Sequence, residues 1–195
     1  MWSLKVNDNE RTEVFRDLTP QALADAKALL RAATHAALAT LAPEDGHPMV
    51  SRIGIGVMTD GVPVTLVSEL AAHTPAVRAD ARCSLMVGEP GKGDPLAHPR
   101  VMLRCRAEPV DPRSAVQAAA RAAYLTSHPK ATLYIDFADF HFFRLVPIGG
   151  TFNAGIGVSN GRVTEVHTAA GTISAYNVVN AAGAWAGQIG RMAGV

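Results

Sequence analysis

The stretch AALATLAPEDGHPMVSRIGIGVMTDGVPVTLVS, residues 36–68, holds three apolar runs separated by two acidic-glycine turns. The first run is Ala36 to Ala42, and Glu44-Asp45-Gly46 ends it. Met49 to Met58 follows, then Thr59-Asp60-Gly61, then Val62 to Ser68. Asp-Gly between apolar runs is a strong hairpin signal, because glycine reaches the positive φ that tight turns require. The segment therefore predicts an antiparallel meander of three strands. Within its middle run Ile53, Ile55 and Val57 share one face, and Gly54 and Gly56 share the other. Glycine inside a strand marks either close approach by a backbone or ligand, or a tight bend at a barrel corner.

On the N-terminal side, Thr19 supplies a capping hydroxyl and Pro20 a first helical residue. Leu23, Ala26, Leu30, Ala33 and Ala37 recur at helical spacing, predicting a helix to about Thr34. On the C-terminal side, Glu69 to Asp80 reads as a short helix limited by Pro75, and Arg82 to Gly88 as a strand. The loop GEPGKGDPLAHP, residues 88–99, lacks the spacing of a phosphate loop and opens no apolar helix. Arg100 to Val110 alternates, with Val101, Leu103, Cys105 and Ala107 on one side. Met102, Arg104 and Arg106 form a wetter or ligand-facing side. An alanine-rich helix from Asp111-Pro112 to about Ser127 and a last strand from Asp139 to Val146 complete the unit. The expected fold is α+β: a six-stranded antiparallel barrel with flanking helices.

The character changes after residue 150, giving a barrel domain over 1–150 and an appendage over 151–195. Gly155, Gly157 and Gly161 lack dinucleotide-loop spacing. Arg162 to His167 and Thr172 to Val179 read as a hairpin, and Ala181 to Val195 as a weak helix.

Composition narrows the function. The chain has 195 residues, 48% of them hydrophobic, a net charge of +1 and a mean hydropathy of +0.12. That is too apolar for disorder and too neutral for a nucleic-acid or membrane-surface protein. Cys83 and Cys105 fit no disulfide framework or zinc spacing and read as buried thiols of a cytoplasmic protein. The seven histidines are dispersed, so no metal site is predicted. Ser51, Ser68 and Ser84 lack the nucleophile setting of a hydrolase, and no carboxylate pair stands out. What remains is Ser51-Arg52, Ser68 and His73-Thr74, a set of hydroxyls and cations that suits a phosphate. The same residues also read as a helix cap at Ser68 and a solvated Arg52.

Three blocks then carry a resemblance: residues 36–87, GDPLAHPRVMLRCRAEPV (93–110) and RAAYLTSHPKATLYIDFADFHFFRLVP (121–147). Together they resemble the FMN-binding split-barrel proteins related to pyridoxamine 5′-phosphate oxidase. They are particularly similar to the haem-utilisation branch that includes HugZ-type haem oxygenases. The resemblance covers roughly residues 20–150 and implies a homodimer with FMN at the subunit interface. It implies Ser51 and Arg52 beside the flavin, and Ser68, Leu70, His73 and Thr74 at its phosphate and ribityl chain. Arg100 and Arg104 are implied from a neighbouring strand. Ala76 stands where the family often has Asn. Residues 161–195 are similar to a fragment of the FAD-dependent amine and amino-acid oxidases, without the GxGxxG half that holds the dinucleotide.

The implied activity is FMN-dependent oxidation of a small molecule, the cofactor carrying the redox chemistry. Haem binding with oxidative breakdown, or a non-catalytic flavin- or haem-binding module, are the alternatives.

Overall fold

The computed structural model describes residues 19–154, 156–159, 162–168 and 171–174. Helix α1 spans Pro20–Ala32, with the Thr19 hydroxyl accepting from Ala22 N at 3.2 Å, and buries Ala22 and Leu30. Strands β1 (His35–Leu41) and β2 (Pro48–Gly54) form the first hairpin. The middle run then divides. A two-residue strand β3 (Gly56–Val57) pairs with β4 (Pro63–Ser68), and β2 stays with β1.

The division occurs at Ile55, whose backbone bonds leave the sheet. Its N–H donates to the Thr34 carbonyl at 2.9 Å, and its carbonyl accepts from His128 Nε2 at 3.1 Å. Buried peptide groups must find partners somewhere, and these two found them outside the ladder. The seven strands of the main sheet follow the order β2-β1-β5-β6-β7-β4-β3, with β5 at Arg82–Val87, β6 at Arg100–Pro109 and β7 at Phe140–Asn153. Its two edge strands are thus consecutive pieces of one run, and the sheet curls until β2 touches β4. The result is an α+β split barrel. It has seven strands where six were expected, because the break at Ile55 turns one expected strand into two.

The two expected helices differ at their starts. Helix α2 spans His73–Ala79, since residues 69–72 are spent in a turn, with Ala71 N bonded to Ser68 O and Thr74 N to Ala71 O. Pro75 fits the first turn, where its missing N–H costs nothing. Helix α3 spans Ala115–Ser127, because Asp111 accepts from Arg113 N and Ser114 N donates to the Asp111 carbonyl.

Helix α3 answers the question that Gly54 and Gly56 posed. A Cβ on Gly56 would stand 2.6 Å from the Ala123 carbonyl oxygen, and one on Gly54 would stand 2.5 Å from the Tyr124 hydroxyl. The close approach is by a helix, at a corner where the strand also breaks. Tyr124 stacks on His128 with ring centroids 4.5 Å apart and meets Phe142 edge-on at 5.8 Å.

The barrel interior is filled by Leu38, Ile53, Ile55, Leu85, Val101, Cys105, Phe143 and Leu145. A second cluster under α3 joins Val64, Leu66, Ala120, Tyr124, Ile135 and Phe142. Each large side chain so buried contributes about 1.5–3 kcal/mol. Cys83 and Cys105 are buried free thiols, directly opposed across β5 and β6. Burial holds the Cys83 thiol up at about 11 and the Cys105 thiol at about 12.

The expected hairpin of the appendage is present as strands β9 (Arg162–Thr168) and β10 (Gly171–Ser174), and β8 (Ile156–Ser159) adds a third strand on the other side of β9. The expected C-terminal helix, and most of the oxidase-like segment, lie outside the described residues. Among the described residues no helix is long and apolar enough to cross a membrane.

Candidate functional site

The barrel has two surfaces that matter, and they differ in how their polar groups are used. The first is the closing seam, where β2 meets β4 and the chain turns into α2. The Thr65 hydroxyl donates to the Gly54 carbonyl at 2.8 Å and ties the seam together. Ser51 and Arg52 lie on β2, and Ser68 ends β4, so the fold brings these expected residues to adjoining strands.

Beyond Ser68 the turn is closed by its own hydrogen bonds. Ser68 Oγ donates to Asp139 Oδ2 at 3.1 Å and accepts from Leu70 N at 3.2 Å. The Thr74 hydroxyl donates to the Ser68 carbonyl at 2.6 Å, and Thr74 is completely buried. Burial lowers the pKa of His73 and favours its neutral ring. Leu70 projects into solvent, 92% exposed. Glu69 pairs with Arg78 in a two-toothed contact and lies 2.6 Å from His141 Nε2. The Arg78 bond is the main cause that holds its carboxyl below the ordinary range.

A phosphate needs donors that are still free. Here the two hydroxyls are committed, the nearby guanidinium is paired, and two carboxylates, Glu69 and Asp139, stand in the same turn. Ser68, Leu70, His73 and Thr74 are therefore assembled in space, with the Ser68 and Thr74 hydroxyl hydrogens already donated within the chain. Sequence reading did not single out Asp139, and a seventy-one-residue separation from Ser68 explains why.

The second surface is the outer face of β2, β1, β5 and β6. Burial alternates along β1 and β5, with Ala36, Leu38, Cys83 and Leu85 inside and Ala37, Ala39, Ser84 and Met86 outside. In register, one row across the sheet reads Val50, Ala39, Ser84, Arg104 and Gly149. The next reads Arg52, Ala37, Met86, Met102 and Thr151. The floor is small or apolar, with an arginine near each end. Val50, Met86 and Met102 are exposed at 73%, 46% and 41%. This is the wetter side that the alternation of residues 100–110 indicated.

Arg100 and Arg104 do not join the Ser68 turn. Their strand β6 lies three positions from β2 in the sheet, roughly 14 Å at the usual strand spacing. The Arg100 guanidinium donates to the Leu96 carbonyl at 3.0 Å. Arg104 lines a cavity of about 390 Å³ together with Ala39, Leu41, Ser84 and Ile148. Among the described residues no cluster of metal-ligating side chains occurs.

This fold and these blocks have relatives. Residues 23–154 match the pyridoxamine 5′-phosphate oxidase family. The chain belongs to that family. It is 36% identical over 103 residues to the non-canonical haem oxygenase HOZ of Arabidopsis thaliana chloroplasts, a match covering 53% of this chain and 30% of that protein. The chain thus spans less than a third of that relative. A haem-binding protein from Mycobacterium smegmatis is 34% identical, with a TM-score of 0.65, over 72% of this chain and 57% of the other. HutZ, a haem storage protein from Vibrio cholerae, shares the fold at 20% identity and a TM-score of 0.54, over 68% of this chain and 93% of the other. The resemblance to the haem-utilisation branch of the pyridoxamine 5′-phosphate oxidase family, drawn from the sequence blocks, therefore holds.

Proposed function

We propose that this member of the family binds haem, and that the ligand meets the outer face of the barrel and leaves the Ser68 turn empty. The observation that carries this reading is the closure of that turn. Its two hydroxyls bond to Asp139 and to the Ser68 carbonyl, so neither is free to donate to a flavin phosphate. The outer face presents what a porphyrin with two carboxylates suits: an apolar floor of Ala37, Ala39, Met86 and Met102, with Arg52 and Arg104 near its ends. Arginine recognises carboxylates through a rigid fork of donors, and apolar surface covers a flat macrocycle. The haem-related names of two relatives above 30% identity, HOZ and the Mycobacterium smegmatis protein, support the same ligand.

A homodimer belongs to this proposal. The exposed Val50, Met86 and Met102 form an apolar stripe that a second copy would cover with the ligand held between the two, in the manner of a self-complementary interface. Sedimentation at several concentrations tests it, and a monomer throughout contradicts it. Turnover is a separate question. When bound, haem would supply the oxygen and electron chemistry, while this chain would contribute binding, orientation and shielding from water.

Titration with haemin should develop a Soret band that saturates, and addition of a reductant with oxygen would bleach it if the protein breaks haem down. A protein that leaves the haemin spectrum unchanged but quenches FMN fluorescence would overturn the haem reading in favour of FMN-dependent oxidation.

A further inference from the structure

The cavity on the outer face contains a cation with no partner among the described residues. Two neighbouring arginines are occupied. Arg82 is held by Asp80 through bonds of 3.0, 2.9 and 2.5 Å, and Arg100 by the Leu96 carbonyl. Arg104 lines the cavity and makes no hydrogen bond or ion pair among the described residues. Its position is set by the strands around it. The register between β6 and β7 shifts between Arg104 and Cys105, where Arg104 pairs with Gly149 and Cys105 with Pro147. Ile148 is the extra residue, exposed at 61%, and it forms one wall of the cavity. Bulges of this kind re-aim side chains and are frequent beside binding sites.

Gly149 completes the seat. A Cβ there would stand 2.8 Å from Arg104 Nη2, so the guanidinium lies against bare backbone. On the other side, directly opposite Arg104 in the ladder, Ser84 offers a hydroxyl, and Ala39 beyond it leaves room above the sheet. A forked cation, a hydroxyl and small neighbours thus share one row, at the bottom of a cavity of about 390 Å³ with Leu41 and Ile148 as apolar walls. That volume lies within the range of small-molecule sites.

We infer that this cavity is an oxyanion site, in which Arg104 and Ser84 hold the acidic group of a flat, largely apolar ligand. The acid is a carboxylate if the ligand is a porphyrin and a phosphate monoester if it is a flavin. Each offers a pair of acceptor oxygens to the two arms of a guanidinium fork. The inference deepens the reading of the outer face as the ligand surface, but it does not require haem to be that ligand.

The test compares four probes on the wild-type protein and on Arg104→Gln: haemin, haemin dimethyl ester, FMN and riboflavin. In each pair the second probe lacks the acid and keeps the ring system. The acid-bearing member of the pair that binds should lose about tenfold in affinity in Arg104→Gln, as expected for one charge-assisted contact. Its neutral counterpart should bind wild type and variant alike. Gly149→Ala, which crowds the guanidinium and leaves its charge, should weaken the same probe by a smaller factor. A thermal midpoint close to wild type shows that each variant is folded. FMN binding that depends on Arg104, with no haemin binding, would sink the haem proposal and keep this one. Haemin binding with wild-type affinity in Arg104→Gln would do the reverse. Binding of none of the four probes by the wild-type protein would overturn both.

Discussion

The closing seam and the outer face are built from similar groups, yet only one of them leaves its groups free. Around Ser68 the protein gathers hydroxyls, a guanidinium, histidines and carboxylates, and most of them satisfy one another: Ser68 with Asp139, Thr74 with the Ser68 carbonyl, Arg78 and His141 with Glu69. Across the outer face Arg104 and Ser84 share a row with Ala39 and Gly149, and the guanidinium points into a cavity. Polar residues that bond inside the chain contribute to folding. The same residue types left unpaired beside a cavity are available to a ligand. The difference teaches that residue type alone does not locate a binding site; the remaining hydrogen-bonding capacity does.

Changes at the seam should therefore cost stability and leave ligand affinity alone. Gly56→Ala should have the largest effect, because its Cβ would meet the Ala123 carbonyl at 2.6 Å, and helix backbone cannot turn aside as a side chain does. A loss of about 3 kcal/mol in urea unfolding is expected, at the upper end of overpacking costs. A loss under half of that would mean that α3 moves freely and the seam is looser than described. Thr74→Val should follow, at about 1 kcal/mol, since it removes one of the two donors to the Ser68 carbonyl and leaves only Ala71 N on it. Unchanged stability there would break the claim that the turn is closed.

Alkaline titration sharpens the same contrast through Tyr124. Burial raises its phenol from the ordinary 10.0 to about 12. A raised folded value means that the contribution is whole below pH 10, where both states are protonated. It is lost as pH rises through about 12, because the unfolded chain releases its proton first. Unfolding free energy should fall across that window, and Tyr124→Phe should flatten part of the fall. The two buried thiols act in the same direction from pH 9 upward. A slope identical in wild type and Tyr124→Phe would contradict the burial argument. The smallest effect should come from Leu70→Ala. A side chain 92% exposed should change stability by less than about 0.5 kcal/mol and haemin affinity not measurably. A clear loss of affinity would place the ligand back at the seam.

Much of the fold was legible in the sequence, because its signals are local. The Thr19-Pro20 cap, the Asp-Gly turns and the alternation of Val101, Leu103, Cys105 and Ala107 each predict an element that the structure contains. The break at Ile55 was not legible, since its cause is His128, seventy-three residues away. The starts of α2 and α3 were set too early because side-chain turns at Ser68 and Asp111 compete with helix. For the site, the blocks around Ser51, Ser68 and His73 pointed to the right family. They did not reveal that Asp139 consumes the Ser68 hydrogen, which depends on a long-range contact. Ser84 opposite Arg104 could have been found by aligning the outward parities of β5 and β6. The bulge that turns Arg104 toward Gly149 could not, since register shifts leave no reliable mark in composition.

The division between a seam that stabilises and a face that binds is tested most directly by one paired experiment. Thr74→Val and Arg104→Gln are each titrated with haemin and unfolded in urea. The expected result is crossed: Thr74→Val loses about 1 kcal/mol of stability and keeps its affinity, and Arg104→Gln keeps its stability and loses about tenfold in affinity. Loss of haemin affinity in Thr74→Val with Arg104→Gln unaffected would contradict the account and return the ligand to the Ser68 turn.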